Sequence, residues 1–238
     1  MRHDDPNVVE QEYSSEVGLQ SRISLYANTD GENPHDLIID LVRAWRPCRV
    51  LDVGCGTGAI ARPLQDIPGC DVHAIDASPQ MVELTRRRGV AAEVADVQAL
   101  PFADEQFDGV IAAWMLYHVQ DLDRGLREIK RVLRIGGHLI AVTNSVRHLE
   151  ELWALAGRDR AREGLPFTAE NGCEILSRYF AEVEPRDVLG TVTFPDRSAA
   201  CGYIASYIPT AHLVDQLPDF TAPLRATRRN CVFTARKA

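Results

Sequence analysis

Three glycines at every second position, Gly54, Gly56 and Gly58, follow the apolar run Val50-Leu51-Asp52-Val53. Glycine has no Cβ and accepts positive φ, so a strand entering such a loop brings backbone within contact distance of a bulky ligand. Acids recur at intervals typical of successive βα units: Asp76 lies 24 residues after Asp52, and Asp96 another 20 residues on. They belong to three short apolar segments, Val50–Val53, Val72–Ile75 and Ala92–Val94. Parallel pairing of these segments would line three carboxylates along one sheet edge, where ligands of doubly wound sheets bind. Asp76 can accept both hydroxyls of a ribose, and Asp96 an adenine amino group. Asp52 beside the loop suits a ligand carrying an ammonium and a sulfonium, and repels a pyrophosphate. The glycines also satisfy the dinucleotide fingerprint GxGxxG/A through Gly54, Gly56 and Ala59, so a nicotinamide-dependent oxidoreductase stays open at this point.

A second group with chemical potential is Trp114-Met115-Leu116-Tyr117-His118, directly after the strand-like run Phe107–Ala112. A histidine at its ordinary near-neutral pKa can take a proton from a phenol, an enol or an acidic carbon. His118 is therefore the catalytic candidate, with Tyr117 beside it; bonding to backbone at a strand-to-helix junction is the competing role. Trp114, His148, Trp153, Tyr203 and Tyr207 are candidates for an acceptor pocket. Tyr203 and Tyr207 are four residues apart and would share a helix face. Core packing competes for the aromatics, and a surface helical position for His148.

The elements that must carry these residues read from local signals. Asn33 caps a helix with Pro34 in its first turn and Leu37, Ile38, Leu41, Val42 and Trp45 on one face, ended by Pro47. From Arg49 short strands alternate with helices: Ile60–Leu64, a helix capped by Ser78 with Pro79, and one carrying Leu122, Leu126, Ile129, Val132 and Leu133 that Gly136-Gly137 would stop before strand Leu139–Val142. Such alternation predicts an α/β fold with a doubly wound, mostly parallel sheet. A helical stretch (Val146–Ala156), a helix opened by Thr168 and strands Val183–Phe194 and Cys231–Ala235 follow, with an insertion from about Pro195 to Arg225. Residues 1–32 read as a flap anchored by Tyr13, Val17, Leu19, Ile23, Leu25 and Tyr26, 33–145 as a ligand-binding core and 146–238 as a substrate-side half, all within one domain.

Composition narrows the partners. The 238 residues carry 26 Lys+Arg against 34 Asp+Glu, a net charge of −8, with 45% hydrophobic residues. An acidic chain whose basic runs, Arg86–Arg88 and Arg228–Arg229, are short is poorly matched to a nucleic-acid backbone. The longest apolar stretch, Gly109–Leu116, falls well short of the about 20 residues of a membrane span, and the polar start lacks a secretory apolar run. A cytoplasmic protein is expected. Six cysteines without a CxxC pair or Cys/His cluster suggest neither zinc nor disulfides. Twenty-four arginines to two lysines fit a GC-rich bacterial genome.

Val50–Gly58 (VLDVGCGTG), Ile75-Asp76-Ala77-Ser78, Ala95-Asp96-Val97 with Leu100-Pro101-Phe102, and Phe107-Asp108-Gly109-Val110 together resemble class I S-adenosylmethionine-dependent methyltransferases. The resemblance covers roughly Asn33–Asn144 and is greatest to the small-molecule group that includes ubiquinone/menaquinone-type enzymes. It implies a seven-stranded Rossmann-like sheet with the last strand antiparallel, an N-terminal flap and a cap insertion before the last strand. It also implies that Gly54, Gly56 and Gly58 wrap methionine and ribose, that Asp76 and Ala77 bind ribose, and that Asp96 and the Val97 backbone read adenine. Ala112 would contact the methionine end, and Tyr26, within Arg22–Asn28, would cover the cofactor. The implied activity is methyl transfer to O, N or C of a small molecule, with secondary metabolism as one setting, by a monomer or homodimer that releases S-adenosylhomocysteine. Macromolecule methylation and S-adenosylmethionine binding without methylation are the alternatives.

Overall fold

In the computed structural model, Gln11 and residues 29–238 are described; the flap anchors from Tyr13 to Tyr26 lie outside them. From residue 29 the order runs through a short strand, β1 (Thr29–Gly31), and helix α1 (Pro34–Trp45). Local chemistry sets the helix ends. Asn33 accepts the His35 N–H at 3.0 Å, Pro34 fills the first turn, and Arg46 closes the helix in the left-handed region just before Pro47. The alternation then runs β2 (Arg49–Val53), α2 (Ala61–Leu64), β3 (Asp71–Asp76), α3 (Pro79–Arg87), β4 (Ala91–Val94), β5 (Phe107–Ala113), α4 (Leu122–Val132) and β6 (Leu133–Asn144). Helices α5 (Glu150–Leu155) and α6 (Gly172–Leu176), strand β7 (Ala181–Phe194), helix α7 (Arg197–Ala205) and strand β8 (Leu224–Arg236) complete it.

One sheet holds all eight strands in the order β1-β7-β8-β6-β5-β2-β3-β4. Strands β2 to β6 pair in parallel, β8 is antiparallel to both its neighbours, and β1 is antiparallel to β7. The seven expected strands are β2–β8, with the last antiparallel as expected; β1 is an eighth. Its three residues have no apolar alternation, because backbone pairing to β7 rather than side-chain burial places them. Other boundaries move: β8 starts at Leu224 rather than Cys231, and α6 at Gly172 rather than just after Thr168. Helix α4 ends at Val132, four residues before Gly136, because buried Leu133 already pairs with Phe107 in the sheet. Helix α5 starts at Glu150 rather than Val146, because Leu149 is left-handed (φ 55°).

Apolar faces cover the sheet from both sides. Leu37, Ile38 and Val42 of α1 and Leu64 of α2 pack on one face, and Leu126 and Ile129 of α4 with Leu176 of α6 on the other. Pairing of β6 with β8 stops at Asn144–Asn230, whereas β7 and β8 continue together from Leu189–Arg229 to Phe194–Leu224. This ribbon overhangs the carboxyl edge of the sheet by about 20 Å at the usual rise per residue. A third cluster is built on it from Val192, Phe194, Ala226, α5 and α7. Among the described residues no helix is long and apolar enough to cross a membrane.

Candidate active site

Strand order makes β2, β3 and β4 neighbours, so their acids emerge along one edge, as the spacing requires. Asp52 pairs with Ala74, and Asp76 with Val94, so the acids step outward by two residues per strand. Asp52 lies inside β2 and is 1% exposed. The Ala61 N–H bonds its carboxylate, yet Oδ2 has no hydrogen-bond partner. Burial, reinforced by the charge of Asp76, pushes its pKa up to about 7.

Asp76 ends β3 and joins the loop to it. Its Oδ2 accepts the Gly56 N–H and its Oδ1 the Ser78 N–H, both at 2.9 Å. Burial raises its pKa against the pull of these two bonds. All three loop glycines have positive φ (69°, 54° and 75°), which only glycine adopts freely. A Cβ on Gly54 would lie 2.7 Å from the Met115 Cβ, and one on Gly58 3.0 Å from the Thr85 hydroxyl; on Gly56 it would meet nothing within 4 Å. Thr85 of α3 also donates to the Gly56 carbonyl at 2.9 Å. Sequence reasoning passed over Thr85. Its signal was a hydroxyl in line with Met81 and Val82 on the buried face of α3.

Asp96 sits two residues beyond β4, is exposed, and caps the 3₁₀ turn Val97–Ala99 by accepting the Gln98 N–H at 2.8 Å. Val97 and Ala112 are buried, and Ala77 is exposed. Beyond β5 the chain turns sharply at Trp114 (φ 54°), whose Nε1 donates to Asn144 Oδ1 at 3.3 Å. Asn230 donates to the same oxygen at 2.6 Å, and the His35 ring lies 5.0 Å from that of Trp114. None of these three partners was singled out in the sequence. The 3₁₀ turn Leu116–His118 follows, with the Tyr117 and His118 rings 4.5 Å apart and both half-buried. Packing of Met115 on Gly54 thus lays this turn against the glycine loop.

The remaining pocket candidates lie elsewhere. His148 is neither on a surface helix nor open to a pocket: it is 1% exposed, and its Nδ1 faces the Arg229 backbone N–H at 3.1 Å. Burial, then the charge of Arg160, takes its pKa down to about 3. Trp153 and Tyr203 are each 3% exposed in the third cluster, with ring centroids 6.0 Å apart. Tyr203 and Tyr207 do not share a helix, because α7 stops at Ala205 and Tyr207 is extended (φ −111°, ψ 118°), preceding the 3₁₀ helix Ile208–Gln216. Their rings still meet edge-on at 5.6 Å.

Residues 51–141 match the family described as a methyltransferase domain. The demethylmenaquinone methyltransferase of Renibacterium salmoninarum is 40% identical over 106 residues, 44% of each chain. The chain spans about half the length of the curated relatives it matches. Among solved structures, the [4+2]-cyclase SpnF superposes with a TM-score of 0.64 at 25% identity, over 96% of this chain and 94% of that one. The phosphoethanolamine N-methyltransferase 2 of Haemonchus contortus, solved with S-adenosylhomocysteine, shares the fold with a TM-score of 0.65 at 18% identity, over 100% of this chain and 60% of that one. The glycine loop, its companion acids and these matches agree: residues 51–141 are similar to a methyltransferase domain, set in a fold shared with S-adenosylmethionine-dependent methyltransferases.

Proposed function

We propose that this protein methylates O, N or C of a small molecule and releases S-adenosylhomocysteine. When bound, the cofactor supplies a methyl group already activated by a positively charged sulfur, so the protein's share is to align the acceptor and exclude water. The residues present fit that cofactor. Asp52 keeps a buried carboxylate oxygen without a partner, which an ammonium donor would satisfy. Gly56 leaves open space where a side chain would stand. Asp76 is locked by two backbone bonds and retains lone pairs for ribose hydroxyls. In this reading Gly54 and Gly58 shape the loop, Ala77 flanks the ribose, Asp96 and Val97 face adenine, and Ala112 flanks the methionine end.

The observation that carries the reading is the seat of Met115 on Gly54, which sets Trp114, Tyr117 and His118 beside the loop. His118 then takes the proton of an acidic acceptor, with Tyr117 positioning it and Trp114 forming a wall. The test is a thermal melt with S-adenosylhomocysteine, S-adenosylmethionine and NAD. Either adenosyl ligand at a hundred times its Kd should stabilise the fold by about 2.7 kcal/mol; a shift with NAD alone would overturn the reading. Likeness to the [4+2]-cyclase supports a second reading, in which the cofactor is bound but not consumed. Product mass separates the two: the first adds a methyl group to the acceptor and forms S-adenosylhomocysteine, the second does neither.

A further inference from the structure

A cavity of about 620 Å³ lies against α5, bordered by Val146, Trp153, Ala154, Arg158 and Arg160. The acids that reach it are already engaged. Glu150 pairs with Arg147 at 2.7 Å, Glu151 accepts the Thr227 N–H at 2.8 Å, and Asp159 pairs with Arg162 at 3.0 Å. Two donors are not engaged: Trp153 Nε1 and Arg160 Nε are buried and have no hydrogen-bond partner among the described residues. Arg160 reaches only the His148 carbonyl, through Nη1 at 3.3 Å, and no carboxylate among the described residues pairs with it. Trp153 is held in place, 3% exposed, with the Arg158 guanidinium 4.5 Å over its ring and Arg158 tied to Glu163 at 2.7 Å.

We propose that this cavity is a subsite for an organic carboxylate carried by the methyl acceptor. The Trp153 indole N–H and the Arg160 guanidinium, which has no carboxylate partner among the described residues, border one space and call for acceptor atoms bearing negative charge. A carboxylate presents two such oxygens in the plane that a guanidinium matches. Val146, Ala154 and the indole contribute carbon surface, so the body of the ligand is apolar. Val146 lies two residues beyond the carboxyl end of β6, which is two places from β2 in the sheet. That separation is about 10 Å at the normal strand spacing, within the span of one small molecule. The place of this subsite in catalysis rests on the methyl-transfer reading above; the binding itself does not.

The test titrates the purified protein, without cofactor, with phenylacetate, phenylacetamide and inorganic phosphate, read by calorimetry and tryptophan emission. Phenylacetate should bind at least about tenfold more tightly than either other probe, and about tenfold more weakly to Arg160→Gln and Trp153→Phe, the effect of losing a charge-assisted or buried hydrogen bond. Both variants should keep their affinity for S-adenosylhomocysteine. Equal binding of acid and amide, tighter binding of phosphate, or undiminished binding by Arg160→Gln would overturn the proposal. The three-probe comparison needs only the wild-type protein, so it stands even if a variant does not fold. Failure of the wild type to bind S-adenosylhomocysteine would overturn the methyl-transfer reading and leave the carboxylate result intact.

Discussion

Asp52 and His148 are both buried, and they titrate in opposite senses. Asp52 rises from 3.8 to about 7, so across that window the folded chain holds a proton that the unfolded chain has released, and stability falls as pH rises. His148 drops from 6.5 to about 3; there the unfolded chain holds the extra proton, and stability climbs with pH. At about 1.4 kcal/mol per pKa unit each limb amounts to a few kcal/mol, and over most of the acid range the two cancel. The free energy of unfolding, plotted against pH, should therefore climb more steeply than wild type in Asp52→Asn, and fall between about pH 4 and 7 in His148→Gln. Identical profiles in all three proteins would contradict the burial argument. On the proposed reading, Asp76 serves binding and His118 chemistry. Asp76→Ala should raise the Kd for S-adenosylhomocysteine at least about tenfold. His118→Ala should leave it nearly unchanged while slowing single-turnover transfer about 10²–10⁴-fold to an acceptor that must lose a proton. Turnover at the wild-type rate would make His118 a structural residue. These acids were legible because each belongs to a recognisable apolar run; Thr85 and Asn230 were not, because their partners come from other elements.

The glycine loop yields a contrast within one element. Gly56→Ala and Gly58→Ala both force a left-handed alanine, at about 1–2 kcal/mol. Only Gly58→Ala also drives a methyl into Thr85, 3.0 Å away, whereas the space beside Gly56 is open. Gly58→Ala should therefore be the less stable by a further 1–3 kcal/mol or about that, the usual cost of overpacking. Gly56→Ala should instead stand out by weakened binding of S-adenosylhomocysteine. Thermal melts and calorimetry decide, and equal melting temperatures would rule out the Thr85 contact. Helix starts at Asn33-Pro34 and Ser78-Pro79 were readable because a cap and its helix are adjacent in sequence. The starts of β1 and α5 were not. The first is chosen by a strand far along the chain, and the second by the backbone dihedral of Leu149, a residue type with no preference for that conformation.

At the scale of the whole molecule, the half that carries the glycine loop is a sheet covered on both faces, and the other half is a roof raised on the overhang of β7 and β8. Sequence reading found the two strands but not how far they extend past β6, since pairing register is set by all three strands together. Phe194, fully buried in the roof, tests the division. Phe194→Ala should cost about 3–5 kcal/mol of stability and leave the affinity for S-adenosylhomocysteine unchanged; a parallel loss of affinity would show the halves to be coupled. The overhang also bears on the order of events in time. Thr29 of β1 meets Val192 across roughly 160 residues of chain, and closing so long a loop is entropically favourable only after nearer contacts have shortened the path. Strand β1, the first among the described residues, is thus the last to be laid down, and until it arrives the outer edge of β7 is open to other chains. Refolding yield should fall with protein concentration for that reason, and substitutions confined to Thr29–Gly31 should hasten unfolding while hardly touching the rate of folding.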